Sequence, residues 1–194
     1  MEGRGESPRG MGASAPRAEN PVGGAPPGTG DAPAAGGVDA EVVVAIDRES
    51  IGFSAAHFSV VESGAERLHG HNYRVALRAR GRLRDDGTVV DFAILKAALR
   101  EECDRLDHRM LVPTASPEVT VVEHPGGEVE LREGGRRFLV PASDCCLLPV
   151  RNTTCECLAA LLVERLRQRL AGVPVRLEVT VEETAGQGAT AREP

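Results

Sequence analysis

Residues 64–83 read GAERLHGHNYRVALRARGRL, and their alternation decides the architecture. From Tyr73 onward, Tyr73, Val75, Leu77 and Ala79 take every second position and Arg74, Arg78 and Arg80 fall between them. Successive side chains of a β-strand point to opposite faces, so this is a half-buried strand with one face to a core and the other charged. Carried back towards the start of the stretch, the same alternation puts His69 and His71 on one face, while Gly70 leaves the other bare. Two imidazoles side by side suggest a metal. A pair of surface histidines at a strand end is the alternative, and the flanking segments have to decide.

Upstream, EVVVAIDRESIGFSAAHF (residues 41–58) reads as extended chain with a third histidine, His57, near its end, followed by the loop SVVESGAER. If the two strands are antiparallel neighbours joined by that loop, His57 lies opposite His69 and His71. Three imidazoles on facing strands satisfy the three-ligand plan of a catalytic zinc site, whose fourth position is left for water or substrate.

Downstream, a DDG turn (Asp85 to Gly87) leads into TVVDF, which suits a hairpin return. Asp91 is placed to N-cap the helix FAILKAALREECDRL, where Ile94, Leu95, Ala98, Leu99 and Leu106 form the apolar stripe. Residues 113–150 alternate like strands around PGG and GG turns and read as an inserted β-hairpin. Thr153 and Glu156 form a T-x-x-E capping box for the helix TTCECLAALLVERLRQRL, which stops at Gly172 with Pro174 beyond. A last strand, VRLEVTVEET, alternates Val175, Leu177, Val179 and Val181. Strand, strand, helix, insertion, helix, strand is an α+β order rather than a repeating βαβ one.

Composition bounds the rest. Of 194 residues, 41% are hydrophobic but only 3% aromatic, so aliphatic side chains must fill the core. The net charge of -6 offers no basic footprint for a nucleic acid. No apolar run approaches the roughly 20 residues of a membrane span, and the N-terminus lacks a signal-peptide plan, so a soluble, cytoplasmic protein is expected. Five cysteines without a C-x-x-C pair indicate neither a disulfide framework nor a thiolate zinc knuckle. Residues 1–38, rich in Gly, Pro and Ala, are expected to be a disordered tail, residues 39–185 the folded domain, and residues 186–194 a frayed, disordered end.

The series FSAAH, LHGHNY, VDF before a helix, LDH after it, NTTCE at the next helix and VEET on the last strand resembles the 6-pyruvoyltetrahydropterin synthase and 6-carboxytetrahydropterin synthase family, over residues 40–185. The resemblance implies a T-fold, or tunnelling fold: an antiparallel sheet with two helices on one face, here with the inserted hairpin between the helices. It also implies zinc on His57, His69 and His71, and a homohexamer with active sites at subunit interfaces.

One departure bears on the chemistry. The family's usual catalytic cysteine lies four residues before the first His of H-G-H, and that position is Ala65; Glu66 follows it, giving E-x-x-H-G-H. This looks like the Glu-for-Cys branch, whose members convert 7,8-dihydroneopterin triphosphate to 6-hydroxymethyl-7,8-dihydropterin. In such a zinc-dependent lyase, Glu66 is the acid/base, with Glu62 as fallback. Asp107 and His108 match the family's proton-relaying pair, although a histidine near a helix end is also favoured by the dipole. Glu183 matches the glutamate that anchors the pterin through two parallel N–H donors, and Thr154 at the second helix start lies near that pocket. Arg67, Arg74, Arg109 and Arg151 are candidates for the triphosphate. Two other readings stand beside this one: a 6-carboxytetrahydropterin or 6-pyruvoyltetrahydropterin synthase with Cys145 or Cys146 replacing the missing thiol, and a non-catalytic pterin- or zinc-binding T-fold protein.

Overall fold

The computed structural model describes residues 40–47 and 51–194, so the expected tail over residues 1–38 lies outside the described residues. Strands β1 (Glu41–Ile46) and β2 (Gly52–His57) lead to the short hairpin β3 (Val60–Val61) and β4 (Gly64–Ala65), and then to β5 (His69–Arg82). β5 is the spine. Both β1 and β2 pair antiparallel with it, Ile46 opposite Leu77 and His57 opposite His69. Val75, Leu77 and Ala79 are buried, whereas Arg74, Arg78 and Arg80 are exposed, as the alternation requires.

Helix α1 (Phe92–Asp104) starts where Asp91 accepts a hydrogen bond from the Ala93 N–H at 2.8 Å. The hairpin return expected over TVVDF does not form. Asp86 instead takes the Thr88 N–H and hydroxyl, and the Arg84 N–H donates to the Thr88 carbonyl, closing a tight turn. The two residues between that turn and the N-cap, Val89 and Val90, leave no length for a strand and go into the core. Ile94 stays exposed, so the buried stripe of α1 is Leu95, Ala98, Leu99 and Cys103.

After α1 the chain enters β6 (Arg109–Pro113), parallel to β2. The insertion is larger than a hairpin: β7 (Thr120–His124), β8 (Glu128–Glu133) and β9 (Arg136–Pro141) form a separate antiparallel three-stranded sheet. Two glycine turns produce three strands, with Gly127 and Gly134 at φ of 82° and 56°, a region glycine enters without strain. A 3-10 turn (Ala142–Asp144) then delivers β10 (Cys145–Leu148) parallel to β6. Helix α2 (Cys155–Arg169) and β11 (Arg176–Thr184) follow, and β11 pairs with the free side of β5.

The expected frayed end is instead a strand. β12 (Gln187–Arg192) folds back antiparallel on β11 after Gly186 at φ 81°, the Thr180 and Thr190 hydroxyls meet at 2.8 Å, and Glu193 accepts the Leu177 N–H at 2.6 Å. Large apolar side chains are not needed there, because the β11 backbone supplies hydrogen bonds and Ala189 and Ala191 pack on the core.

The main sheet thus runs β10-β6-β2-β5-β11-β12, with β1 also on β5. It is antiparallel at its centre but mixed overall. α1 and the insertion are the crossovers that let β6 and β10 run parallel to β2. Leu95 and Leu99 of α1 and Leu158, Leu162 and Leu166 of α2 join the inward face of β5 in one core, the two-helix arrangement of a T-fold. A second cluster, with Phe58, Val112, Val129 and Leu131, seats the inserted sheet beside the β3–β4 hairpin.

Candidate metal centre and active site

The register that puts His57 opposite His69 gathers three imidazoles. Their ring centroids lie 4.6 Å (His57–His69), 4.7 Å (His69–His71) and 5.2 Å (His57–His71) apart. One ligand atom from each lies within 4.8 Å of the others. Two of the rings are held by backbone carbonyls. His57 Nδ1 lies 3.0 Å from the Thr153 carbonyl, and His69 Nδ1 lies 2.7 Å from the Arg67 carbonyl. A carbonyl can only accept, so both Nδ1 atoms carry the proton and both Nε2 atoms present lone pairs.

Two ring nitrogens of the triad are otherwise unexplained. His57 Nε2 and His71 Nε2 are buried without a hydrogen-bond partner, a costly arrangement unless another group takes the lone pairs. Burial, reinforced by the neighbouring imidazoles, pushes His57 below the ordinary histidine pKa and keeps it neutral. Three imidazoles whose ligand atoms converge in this way fit zinc, whose catalytic sites take three protein ligands.

Around the triad the chain closes a polar wall. Glu183 Oε2 lies 3.9 Å from His71 Nε2, and the Cys155 thiol donates to the same oxygen at 3.7 Å. Glu182 turns to the opposite face and pairs with Arg74 at 3.8 Å. The Tyr73 hydroxyl is buried and unpartnered, and burial, then the charges of Cys155, Glu183 and Glu66, push its pKa up. Glu66 leaves the β3–β4 hairpin three residues before His69. Its N–H donates to the Ser59 carbonyl at 2.9 Å, and its carboxylate accepts the Ser59 N–H at 3.4 Å.

The capping box expected from Thr153 and Glu156 is corrected. Thr154 is the N-cap of α2 and makes no side-chain capping bond, whereas the Thr153 hydroxyl donates to the Phe58 carbonyl at 3.0 Å. That tertiary bond and the carbonyl on His57 use Thr153 as a support of the triad. Asn152 joins it, taking the Val60 N–H at 3.2 Å and donating to the Val60 carbonyl at 2.7 Å. The N-T-T motif marks both residues, but only the fold gives them partners more than 90 positions away.

Asp107 and His108 also come together. The Asp107 carboxylate accepts the Ser54 N–H and the His108 Nδ1–H, each at 2.7 Å, and His108, in the left-handed region at φ 53°, donates its backbone N–H to the Ser54 carbonyl. The Ser54 N–H and then His108 hold the Asp107 carboxyl below the usual range. The His108 ring is 84% exposed. It borders an open groove of about 560 Å³ that is also lined by Ser54, Asn72 and His71 of the triad.

Of the four candidate arginines, Arg74 is paired with Glu182, Arg109 donates to the Ser143 carbonyl at 2.9 Å, and Arg67 and Arg151 are exposed. Cys145 and Cys146 lie on β10, two strand spacings from β2, and burial raises both thiols above their ordinary pKa.

Residues 46–194 match the family model for 6-pyruvoyl tetrahydropterin synthase. The chain belongs to that family. A Methanocaldococcus jannaschii protein, assigned provisionally as a 6-carboxy-5,6,7,8-tetrahydropterin synthase, is 32% identical over 72% of this chain and 88% of its own. The crystal structure of the Plasmodium vivax 6-pyruvoyl tetrahydropterin synthase superposes with a TM-score of 0.75 at 30% identity, covering 80% of this chain and 99% of that one. Solved variants of the same enzyme, described as catalytic-residue mutants in which a glutamate is replaced by alanine or cysteine, superpose at 0.72 and 31% identity over 79% of this chain and 97% of theirs. Membership places the chain among the lyases of pterin biosynthesis. Among the described residues, no helix is long and apolar enough to cross a membrane.

Proposed function

We propose that this synthase-family member is a cytoplasmic, zinc-dependent pterin lyase that converts 7,8-dihydroneopterin triphosphate to 6-hydroxymethyl-7,8-dihydropterin, with Glu66 as acid/base. One observation carries the reading. A carboxylate is held in the loop three residues from the metal triad, where the usual thiol position is Ala65, and a relative with a catalytic glutamate shares the fold.

Bound zinc would act as a Lewis acid towards the side-chain hydroxyl oxygens. Glu66 takes the proton from the C2' hydroxyl as the C1'–C2' bond breaks, its electron pair passes to the conjugated pterin ring, and C2' leaves as the aldehyde of glycolaldehyde triphosphate. A proton is then returned to C1', leaving hydroxymethyl-dihydropterin. Glu183 accepts the 2-amino and N3 hydrogens of the pterin, a bidentate contact that orients the ring, and Thr154 borders the same pocket. Asp107 fixes the proton of His108 on Nδ1, leaving Nε2 as the exposed relay atom. Because the His108 ring stands exposed beside that groove, we assign it to the site of a neighbouring copy in a homohexamer.

A second reading is favoured by the relatives assigned as 6-carboxytetrahydropterin synthases. It lacks a sulfur base: Cys145 and Cys146 lie two strands off, and Cys155, spent on Glu183, is pushed up to about 11 by burial and that carboxylate. Zinc-loaded protein incubated with dihydroneopterin triphosphate should yield the hydroxymethyl pterin by chromatography. A 6-pyruvoyl or 6-carboxy product would transfer the chain to the synthases, and no product would leave a binding protein.

A further inference from the structure

The inserted sheet supplies no group to the chemistry above, yet it grips the loop that does. Arg136, the first residue of β9, donates through Nη1 to the Glu66 carbonyl at 2.6 Å. Its Nε and Nη2 both donate to Glu133 at 2.9 and 2.6 Å, so the guanidinium is itself held in place. The cation lies 5.3 Å from the ring centre of Phe58, the residue after His57, and 5.7 Å from that of Phe138, and those two rings stack at 5.4 Å. The Glu66 carbonyl belongs to the peptide linking Glu66 to Arg67, whose own carbonyl orients His69.

We propose that Arg136 is a positioning residue. It fixes the Glu66–Arg67 peptide, and through it both the acid/base carboxylate and the orientation of a metal ligand, which makes the insertion a brace for the catalytic loop. This inference rests on Glu66 acting as base. The physical ground is that an exposed loop end samples many conformations, whereas a planar fork stacked on two aromatic rings and tied to Glu133 admits few. Lysine offers a point donor without the fork or the stacking plane, so it does not replace arginine here.

The test compares Arg136→Lys, Arg136→Gln and Glu133→Gln with the unaltered full-length, zinc-loaded protein. Two readouts are followed: steady-state turnover of dihydroneopterin triphosphate, and amide hydrogen exchange over residues 59–67. Both Arg136 variants should lower kcat by about tenfold to a hundredfold, the size expected for a displaced catalytic group, with KM changed far less. Exchange over the loop should quicken while β5 keeps its protection. Glu133→Gln, which loosens the guanidinium without touching the loop, should act in the same direction more weakly, and it carries the test if an Arg136 variant does not fold. Unchanged loop exchange, or faster exchange with unaltered kcat, overturns the proposal. If the unaltered protein turns over no pterin, the functional reading fails by itself, and the exchange data still decide whether the brace exists.

Discussion

His57 has two nitrogens with different employment: Nδ1–H is committed to the Thr153 carbonyl, and Nε2 is buried without a partner. Replacing it by alanine should leave two imidazoles, too few to retain the ion, so zinc measured after dialysis should fall from about one per chain to near zero. Full metal retention would remove the triad from its role. Glu66 makes the opposite prediction, because a base can be lost while the metal stays. Glu66→Gln should cut kcat by about a hundredfold or more at unchanged zinc content, and a fully active variant would dismiss it as the base. The histidines were legible in the chain because strand alternation fixes which positions share a face. The use of Thr153 was not, since the local T-x-x-E pattern points to capping while its hydroxyl bonds to Phe58, 95 residues away.

Among the elements, β8 holds the insertion's most charged position. Glu130 is buried, and Arg137 at 2.8 and 3.0 Å, Arg132 at 2.5 Å and His124 at 3.0 Å surround its carboxylate. Hydrogen bonds from Arg137 and then Arg132 hold its pKa well below the usual carboxylate range. A folded pKa below the unfolded one means that the ionised group stabilises the fold fully above the ordinary value, and that this contribution is lost as pH falls through and below it. Urea unfolding from pH 7 down to pH 3 should therefore show a steeper loss of midpoint in the unaltered protein than in Glu130→Gln, which should start lower at pH 7. Parallel curves would show that the cluster contributes nothing. The insertion was readable as strands, but its count was not: each glycine turn adds a strand, and local alternation does not separate two turns within one hairpin loop from two turns that join three strands. TVV failed as a strand because the helix N-cap at Asp91 follows too soon.

For the whole molecule, the mixed sheet has consequences that no single element carries. Removing residues 186–194 should uncover the edge of β11 and the packing of Ala189 and Ala191, lowering the melting temperature by several degrees and promoting association through the bared edge. An unchanged melting curve would show β12 to be dispensable. If neighbouring copies share a site, inactive Glu66→Gln and His108→Ala proteins should regain partial activity when dissociated and reassembled together, because some interfaces then combine an intact Glu66 with an intact His108. Mixtures as inactive as their parents would place each site within one chain.

The sequence by itself determined the strand that carries two of the clustered histidines, both helices, the α+β order and the position of the glutamate ahead of H-G-H, all of which depend on spacing along the backbone. Only the tertiary structure decided that β6 and β10 run parallel to β2, that the C-terminal residues form a strand, that Thr153 and Asn152 brace the triad and that Arg136 reaches Glu66. Those are pairings between segments tens of residues apart. Their partners are chosen by the packing of whole faces, and periodicity within a short window carries no record of it.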